Sequence, residues 1–500
     1  MSVGLARNSV FAIVPEVTEG TPVAPSSGAQ FIPLRPGRSM EYQVETLDND
    51  ELKGDIGASK PNKGKESVNG THEAYLKSSG TAGVAPETDL FYKSLLGGSS
   101  TASTEYDTVS SSTTAVVKVD TGEGATFEVG EALLVKNGSG YEIRNIASIS
   151  SNDLSVNFLL NNAPGSGVNL GKAVLYKPGS TFSSFTSWLY NGNGFATEMA
   201  SGCQATEASI ELPVNEYAAL SFSYQGTKYH FNPISITSST KYIDWTDDDG
   251  TWAASVAEGF YRTPKELAQS LEDAMNAQTT ETITVSYSDS TGKFTLAASG
   301  SVFSLLWNTG TNAANSIGTK LGFLVAANDT GSTSYASDNA QDLAAAYTPS
   351  YDDVEPIVCK NIELLIGDQS QNTCVCATNV TLTIGKEVTD ADCICAETGT
   401  QEKVATGRTV TMEAEVLLKK YDVQIIDQLL NNSTISAMVN AGPKSGGNWV
   451  AGKCVNLYMK NASVTAFTTS GEEFVTGNIT ITGFVPSTAA EGKDVYVNML

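Results

Sequence analysis

Short runs of β-branched and aromatic residues, broken by Gly, Asn, Asp and Ser, recur along most of this 500-residue chain. In Val380-Thr381-Leu382-Thr383-Ile384 and in Val410-Thr411-Met412-Glu413-Ala414-Glu415-Val416, apolar and polar residues alternate with period two. That period sends every second side chain to the same face, so each run reads as a half-buried antiparallel strand. Further strands are predicted over 115–119, 132–135, 174–176, 208–212, 219–224, 282–287, 293–297, 379–384, 409–418 and 478–481. Strands this short and this frequent, with turn residues between them, describe a mainly β protein.

Only three segments read as helix. Residues 87–96 follow Pro86, end at Gly97-Gly98 and carry Leu90, Phe91 and Leu95 on one face. Residues 263–277 open with Thr263 as N-cap, Pro264 at the first helical position and Glu266 three residues after the cap, followed by Leu267, Leu271, Ala274 and Met275 at helical spacing. Residues 422–430 place Val423, Ile426, Leu429 and Leu430 behind a capping Asp422.

Composition shifts divide the chain. Residues 97–114 are rich in Ser, Thr and Gly and read as a linker. From there to Pro178, five or six short strands suffice for a small β-barrel-like unit. From about Lys228 to Ala346 the pattern becomes strand, acidic turn, helix and hairpin, an α+β unit. Both units read as insertions in an outer β framework.

Charge and histidine content narrow the function. Thirty Lys and Arg against 55 Asp and Glu give a net charge of −25, and a pI near 4.4 opposes sequence-independent binding of phosphates. No run of 18 apolar residues exists, and the apolar run 10–14 before Pro15 is too short for a signal-peptide core, so synthesis in the cytosol is expected. The chain has two histidines, His72 and His230, and no nucleophile-elbow, zinc-protease, Walker or dinucleotide motif. No cofactor is expected, and a carboxylate-pair polysaccharide-degrading enzyme is the least excluded catalytic reading.

The first hundred residues resemble the major tail tube proteins of long, non-contractile-tailed bacteriophages (siphophages). The matching stretches are Glu41-Tyr42-Gln43-Val44-Glu45, Asp50-Glu51-Leu52-Lys53-Gly54-Asp55-Ile56-Gly57, Lys60-Pro61, Glu73-Ala74-Tyr75-Leu76-Lys77, and Pro86 with the helix that follows. A second match runs through Gly202-Cys203-Gln204-Ala205-Thr206, Ser209-Ile210-Glu211-Leu212 and 219–226, and a third through 379–418 and 422–430. Residues 229–335 are similar to small domains appended to phage virion proteins, on Tyr261-Arg262-Thr263-Pro264-Lys265-Glu266-Leu267-Ala268, 303–307 and Leu321-Gly322-Phe323.

The resemblance implies a tail-tube-type β-sandwich core with a flanking helix, split over 1–101, 179–227 and 349–500. A small β domain is inserted at 102–178 and an α+β decoration domain at 228–348. It implies a non-enzymatic virion protein that assembles in the host cytoplasm as stacked hexameric rings, through which DNA passes without specific binding. Tape measure, tail terminator and distal tail proteins are the implied partners, and host surface glycans are a candidate contact of the outer domains. The runner-up is another tail component, such as a fibre or carbohydrate-binding receptor protein, although the coiled-coil heptads or repeats of a fibre are absent.

In that picture an acidic lumen repels DNA phosphates, with Glu41, Glu45, Glu413 and Glu415 as lumen candidates. In the resembled family, the loop matching the polar stretch 48–69 reaches the next ring, which makes Lys53, Asp55, Lys60, Lys63 and Lys65 inter-ring candidates. Four thiols, Cys374, Cys376, Cys393 and Cys395, form two C-x-C pairs. They could hold zinc, but the spacing is not the usual one and small buried cysteines are the commoner reading. The turn Asp247-Asp248-Asp249-Gly250 fails as an EF-hand, because Trp245 and Val256 fall where carboxylates are needed. His72 is expected at the surface, and Trp245 and Trp252 are sugar-platform candidates that more often fill cores.

Overall fold

The computed structural model of the protein describes residues 5–26, 31–51, 60–101, 104–137, 140–341, 348–367, 374–396, 398–418, 424–471, 474–486 and 493–500. The molecule is mainly β, with few and short helices. No helix among the described residues is long and apolar enough to cross a membrane.

The largest sheet has sixteen strands among the described residues. Its main path begins with the hairpin Ser39–Leu47 and Asn62–Tyr75, passes through Ala219–Gly226 and Ala196–Pro213, and continues into the long hairpin Ala377–Asp392 and Thr400–Leu417. It then runs through Thr476–Gly483, Val455–Ser470, Tyr496–Met499 and Val174–Pro178 to Gly97–Thr101. All pairings along it are antiparallel.

The alternation in the sequence sets the register. Leu382 pairs with Met412 and Ile384 with Val410, so the apolar members point to one side together. They join Ile210, Leu220, Phe222, Leu457, Val497 and Tyr176 in a single large core. Strands far apart on the path share this core, so the sheet folds back over itself. Each such aliphatic side chain, fully buried, contributes about 1.5–3 kcal/mol.

The helix Asp89–Leu96 lies in this core through Phe91, Tyr92, Leu95 and Leu96. It stops at Gly97, whose φ of 76° favours glycine and whose missing Cβ leaves room for the Phe182 ring, 2.8 Å from where that atom would sit. The stretch 97–114 departs from a pure linker here. Gly97–Thr101 pairs with Val174–Pro178 as a strand of the main sheet, because backbone pairing tolerates Gly and Ser where a neighbour supplies the partner groups.

A second sheet of eight strands covers most of 106–171 and recruits Lys444–Ser445 and Asn448–Trp449 from much later in the chain. Its own core is built from Val117, Leu133, Ile146, Leu154 and Val156. A third body, 234–336, has three small sheets and a separate core around Trp245, Leu267, Leu271, Met275, Phe294 and Trp307. Its helix Pro264–Asn276 starts where the sequence indicates. Thr263 Oγ1 accepts from Glu266 N at 3.2 Å, while the Glu266 carboxylate accepts from Arg262 N.

The third expected helix is present as Gln424–Leu430, while Asp422 and Val423 lie outside the described residues. A fourth, Gly318–Leu321, is too short to leave a periodic signal in the sequence.

Candidate assembly surface

The face of the main sheet opposite its core carries a distinct set of side chains. Cross-strand partners share a face, so the register lists its members. Thr71 pairs with Ser223 and that residue with Glu207; Glu73 pairs with Ser221, which pairs with Ser209, Thr383, Thr411 and Thr482 in turn. Glu211 continues to Thr381, Glu413 and Thr480, and Asn379 to Glu415 and Asn478. Every one of these side chains is exposed or half-buried. None is Lys or Arg. Hydroxyls and carboxylates therefore tile a wall several strands wide, at about 4.8 Å per strand.

The predicted lumen acids all fall on this face. Glu413 is exposed, and Glu415 is half-buried and accepts from Thr378 Oγ1 at 2.7 Å. Glu41 and Glu45 alternate with Met40, Tyr42 and Val44 on the edge strand Ser39–Leu47, on the side shared with Thr71 through its partner Ser39. The structure thus puts the four on one sheet face but as two pairs five strand steps apart. Glu207 and Glu211 lie nearer to Glu413 and were not singled out in the sequence, although Glu207-Ala208-Ser209-Ile210-Glu211-Leu212 carries the same alternation.

The inter-ring candidates divide. Lys53 and Asp55 lie outside the described residues. Lys60 and Lys63 are exposed. Lys65 is engaged within the chain: its Nζ lies 2.7 Å from both Asp390 Oδ2 and Asp392 Oδ1. Partial burial opposes its charge, but the two carboxylates prevail and raise its pKa. Lys403 meets the same Asp390 at 2.5 Å, and burial of that carboxyl is outweighed by both lysines, which hold its pKa down. These contacts tie the N-terminal hairpin to the far end of the long hairpin.

The four cysteines do not come together. Cys374 and Cys376 precede the strand Ala377–Asp392, and Cys393 and Cys395 follow it. Sixteen residues of strand separate the pairs by about 50 Å, so one metal cannot reach all four in a single chain. Cys374 and Cys376 line an open, mostly apolar groove with Leu212, Cys359, Ile362 and Val380.

Both histidines are buried, which corrects the surface reading of His72. His72 is 0 % exposed, its ring 4.2 Å from Phe11 and its Nε2 3.0 Å from the Tyr224 hydroxyl. Burial pushes its pKa down to about 3, with Arg38 adding to the effect. Local polarity of Asn69-Gly70-Thr71-His72-Glu73 concealed this, because His72 occupies the inward parity of its strand. His230 is likewise buried and depressed to about 3 by burial, then by Lys228 and Arg262. Trp245 fills the core of its unit and Trp252 donates to Asp247 at 2.8 Å. Asp247 Oδ1 also accepts from the backbone of Asp249 and Gly250, so the acidic turn is a hydrogen-bonded hairpin end.

Two junctions had no sequence signal. Asn456 is completely buried between Asn145 at 2.8 Å, Asn440 at 2.7 Å and Asn498 at 2.9 Å, bonding the second sheet to the first. Beside it Arg144, also buried, meets Glu142 at 3.0 Å and Glu363 at 3.5 Å. At the second junction, Arg262 meets Glu66 while Tyr229 stacks on Tyr42, ring centroids 5.3 Å apart.

Residues 6–257, just over half of the chain, match a family whose members are described as phage tail tube protein. No curated protein matches the sequence. A solved structure described as that of a type six secretion system protein aligns at 9% identity, covering 27% of this chain and 91% of its own, with a TM-score of 0.17.

Proposed function

The chain belongs to the phage tail tube protein family, a structural family of the virion tail, and from that premise we propose that it forms stacked hexameric rings of a siphophage tail, through which DNA is ejected. The observation that carries this reading is the Ser, Thr and Glu wall of the main sheet, free of basic residues across five adjoining strands. Like charge keeps phosphates from adhering, and hydroxyls keep the surface wetted.

The edge strand Ser39–Leu47 pairs only with Asn62–Tyr75 among the described residues, which leaves its other side open to a strand of the next subunit. Pairing of that kind removes an edge that would otherwise aggregate, and a closed ring satisfies every copy equally. This orientation supports lumen roles for Glu41, Glu45, Glu413 and Glu415, and ring-to-ring contact is assigned to the polar stretch 48–69 with Lys53, Asp55, Lys60 and Lys63.

The inserted units expected at 102–178 and 228–348, less the main-sheet strands Val174–Pro178 and Lys228–Phe231, are then decorations on the outside of the tube, a reading supported by the apolar cores around Val117 and Leu154 in the first and Trp245 and Trp307 in the second. Host surface glycans are their proposed contact. Tape measure, terminator and distal tail proteins are the proposed partners of the assembled tube, with assembly in the host cytoplasm.

Negative-stain electron microscopy of the concentrated protein tests the proposal. Hollow rings or striated tubes are expected. Elongated trimers, or a protein that stays monomeric even with preformed tail tips present, would overturn it.

A further inference from the structure

Lys386 stands where lysines seldom do. It is 4 % exposed on the strand Ala377–Asp392. Its Nζ donates to the Ser94 carbonyl at 2.7 Å and to Gln204 Oε1 at 3.2 Å, and lies 4.6 Å from the centre of the Phe182 ring. Burial pushes the ammonium down to about 7, with the Glu19 carboxylate opposing, so much of the amine is unprotonated and nucleophilic at neutral pH.

Gln204, on the neighbouring strand Ala196–Pro213, is also 4 % exposed. Its Nε2 donates to the Lys403 carbonyl at 2.7 Å and to Glu19 Oε2 at 3.1 Å. Glu19 is held in turn by the Lys403 backbone N–H, which donates to Oε1 at 2.7 Å. Burial raises the pKa of Glu19 despite these bonds, which suits it to take up and return a proton. A buried amine and a buried carboxamide thus meet a half-buried carboxyl group, with the carboxyl on the nitrogen that would have to leave.

We propose that Lys386 and Gln204 join in a self-catalysed isopeptide bond between the two strands, with Glu19 carrying the proton. Nζ attacks Cδ of Gln204, the atom bonded to the Oε1 it already touches, and a new C–N bond forms. The Cδ–Nε2 bond then breaks and Nε2 departs as ammonia. Nζ gives one proton to the Glu19 carboxylate and Glu19 returns one to Nε2, so Glu19 is unchanged and no oxidant or cofactor is consumed. The burial of Gln204 and Lys386 favours amide exchange over hydrolysis by keeping water from the carbonyl carbon.

Such a bond bridges the ends of residues 205–385, a span that holds the whole 234–336 body. Tension along the tube wall would pass directly between strands and not through that body.

The test uses the full-length protein, held folded at pH 8, then denatured, weighed intact by mass spectrometry and digested. The expected mass is lower than that of the sequence by one ammonia, and a branched peptide joins the Lys386 and Gln204 segments. Lys386→Arg is expected to abolish the branched peptide, and Glu19→Gln to slow its formation about a hundredfold. Recovery of both segments as separate linear peptides from the wild-type protein would overturn the proposal, as would ammonia loss mapped only to asparagines. Should Lys386→Arg fail to fold, the wild-type peptide map decides alone.

Discussion

Arg262 Nη2 sits 2.5 Å from Glu66 Oε2, joining the 234–336 body to the N-terminal hairpin of the main sheet. Tyr42 and Tyr229 stack beside the pair, and Arg262 Nε also donates to the Tyr229 carbonyl at 3.1 Å. A body with its own core is thereby held at a defined place on the edge of the sheet by one charged clamp and one aromatic contact.

Breaking the clamp should loosen the body without unfolding it. Glu66→Gln is expected to cost about 1 kcal/mol, since both side chains keep some solvent access and screening limits the pair. Hydrogen exchange should rise along Lys228–Phe231 and at the start of Pro264–Asn276, while the long hairpin stays protected. Burial alone would raise the pKa of Glu66, but its bonds to Arg262 prevail and hold it below 4.5. Stability from a depressed carboxyl is present above the unfolded value and lost as pH falls through the folded one, so the wild-type advantage should fade as pH falls below 4.5 and be gone once the folded-state carboxyl is protonated.

Asn456 is the hub of the other junction. Asn456→Ala takes the donor from Oδ1 of Asn145 and of Asn440 and removes one bond from Asn498, which still meets Gly130 and Ala132. The expected loss is about 3 kcal/mol, read by thermal or urea unfolding. Exchange should increase most in Gly140–Ser150 and Tyr496–Met499, which meet at this point. A loss no larger than that of an exposed Asn→Ala control would show the network to be dispensable.

The buried histidines predict a specific acid sensitivity. Each has its pKa lowered from 6.5 to about 3 in the folded chain. The unfolded state therefore binds more protons between those values, and stability should fall steadily as pH drops from 6.5 toward 3. His72→Phe, among Phe11 and Phe222, should remove up to one proton's share of that slope. The same slope in the variant and the wild type would refute the assignment.

Charge reversal tests the wall. Changing Glu207, Glu211, Glu413 and Glu415 to Lys alters exposed and half-exposed positions and leaves the core intact. Tubes should still assemble, while DNA ejection slows and becomes dependent on salt, because phosphates would now adhere to the wall. Ejection kinetics identical to wild type would remove these residues from the lumen.

Local features were legible to the extent that neighbours in sequence create them. Thr263, Pro264 and Glu266 mark a helix start through contacts within one turn, and that helix is present. The alternation over 380–384 and 410–416 survives as the long hairpin, with Leu382 opposite Met412. What failed depends on distant partners. Gly97–Thr101 has little propensity for a strand and becomes one because Val174–Pro178 lies beside it. His72 looks polar in its own loop and is buried because Phe11 and Tyr224 close over it. The asparagine hub joins positions more than 300 apart in the chain, and no single-sequence pattern marks such a pairing. Of the assembly surface, Glu413 and Glu415 were visible through their own alternation, whereas the hydroxyl wall around them emerges only once the strands are in register.

The strand Tyr496–Met499 lies between Val174–Pro178 and Val455–Ser470, inside the sheet. The second sheet likewise waits for Lys444–Ser445 and Asn448–Trp449. A ribosome therefore releases residues 106–171 long before the pieces that complete them exist. Until Tyr496–Met499 is threaded into place, a nascent chain has an open gap in its principal sheet between Val455–Ser470 and Val174–Pro178, and the sheet offered to a growing tube is incomplete. Interrupted products would be screened out of the polymer by their own geometry.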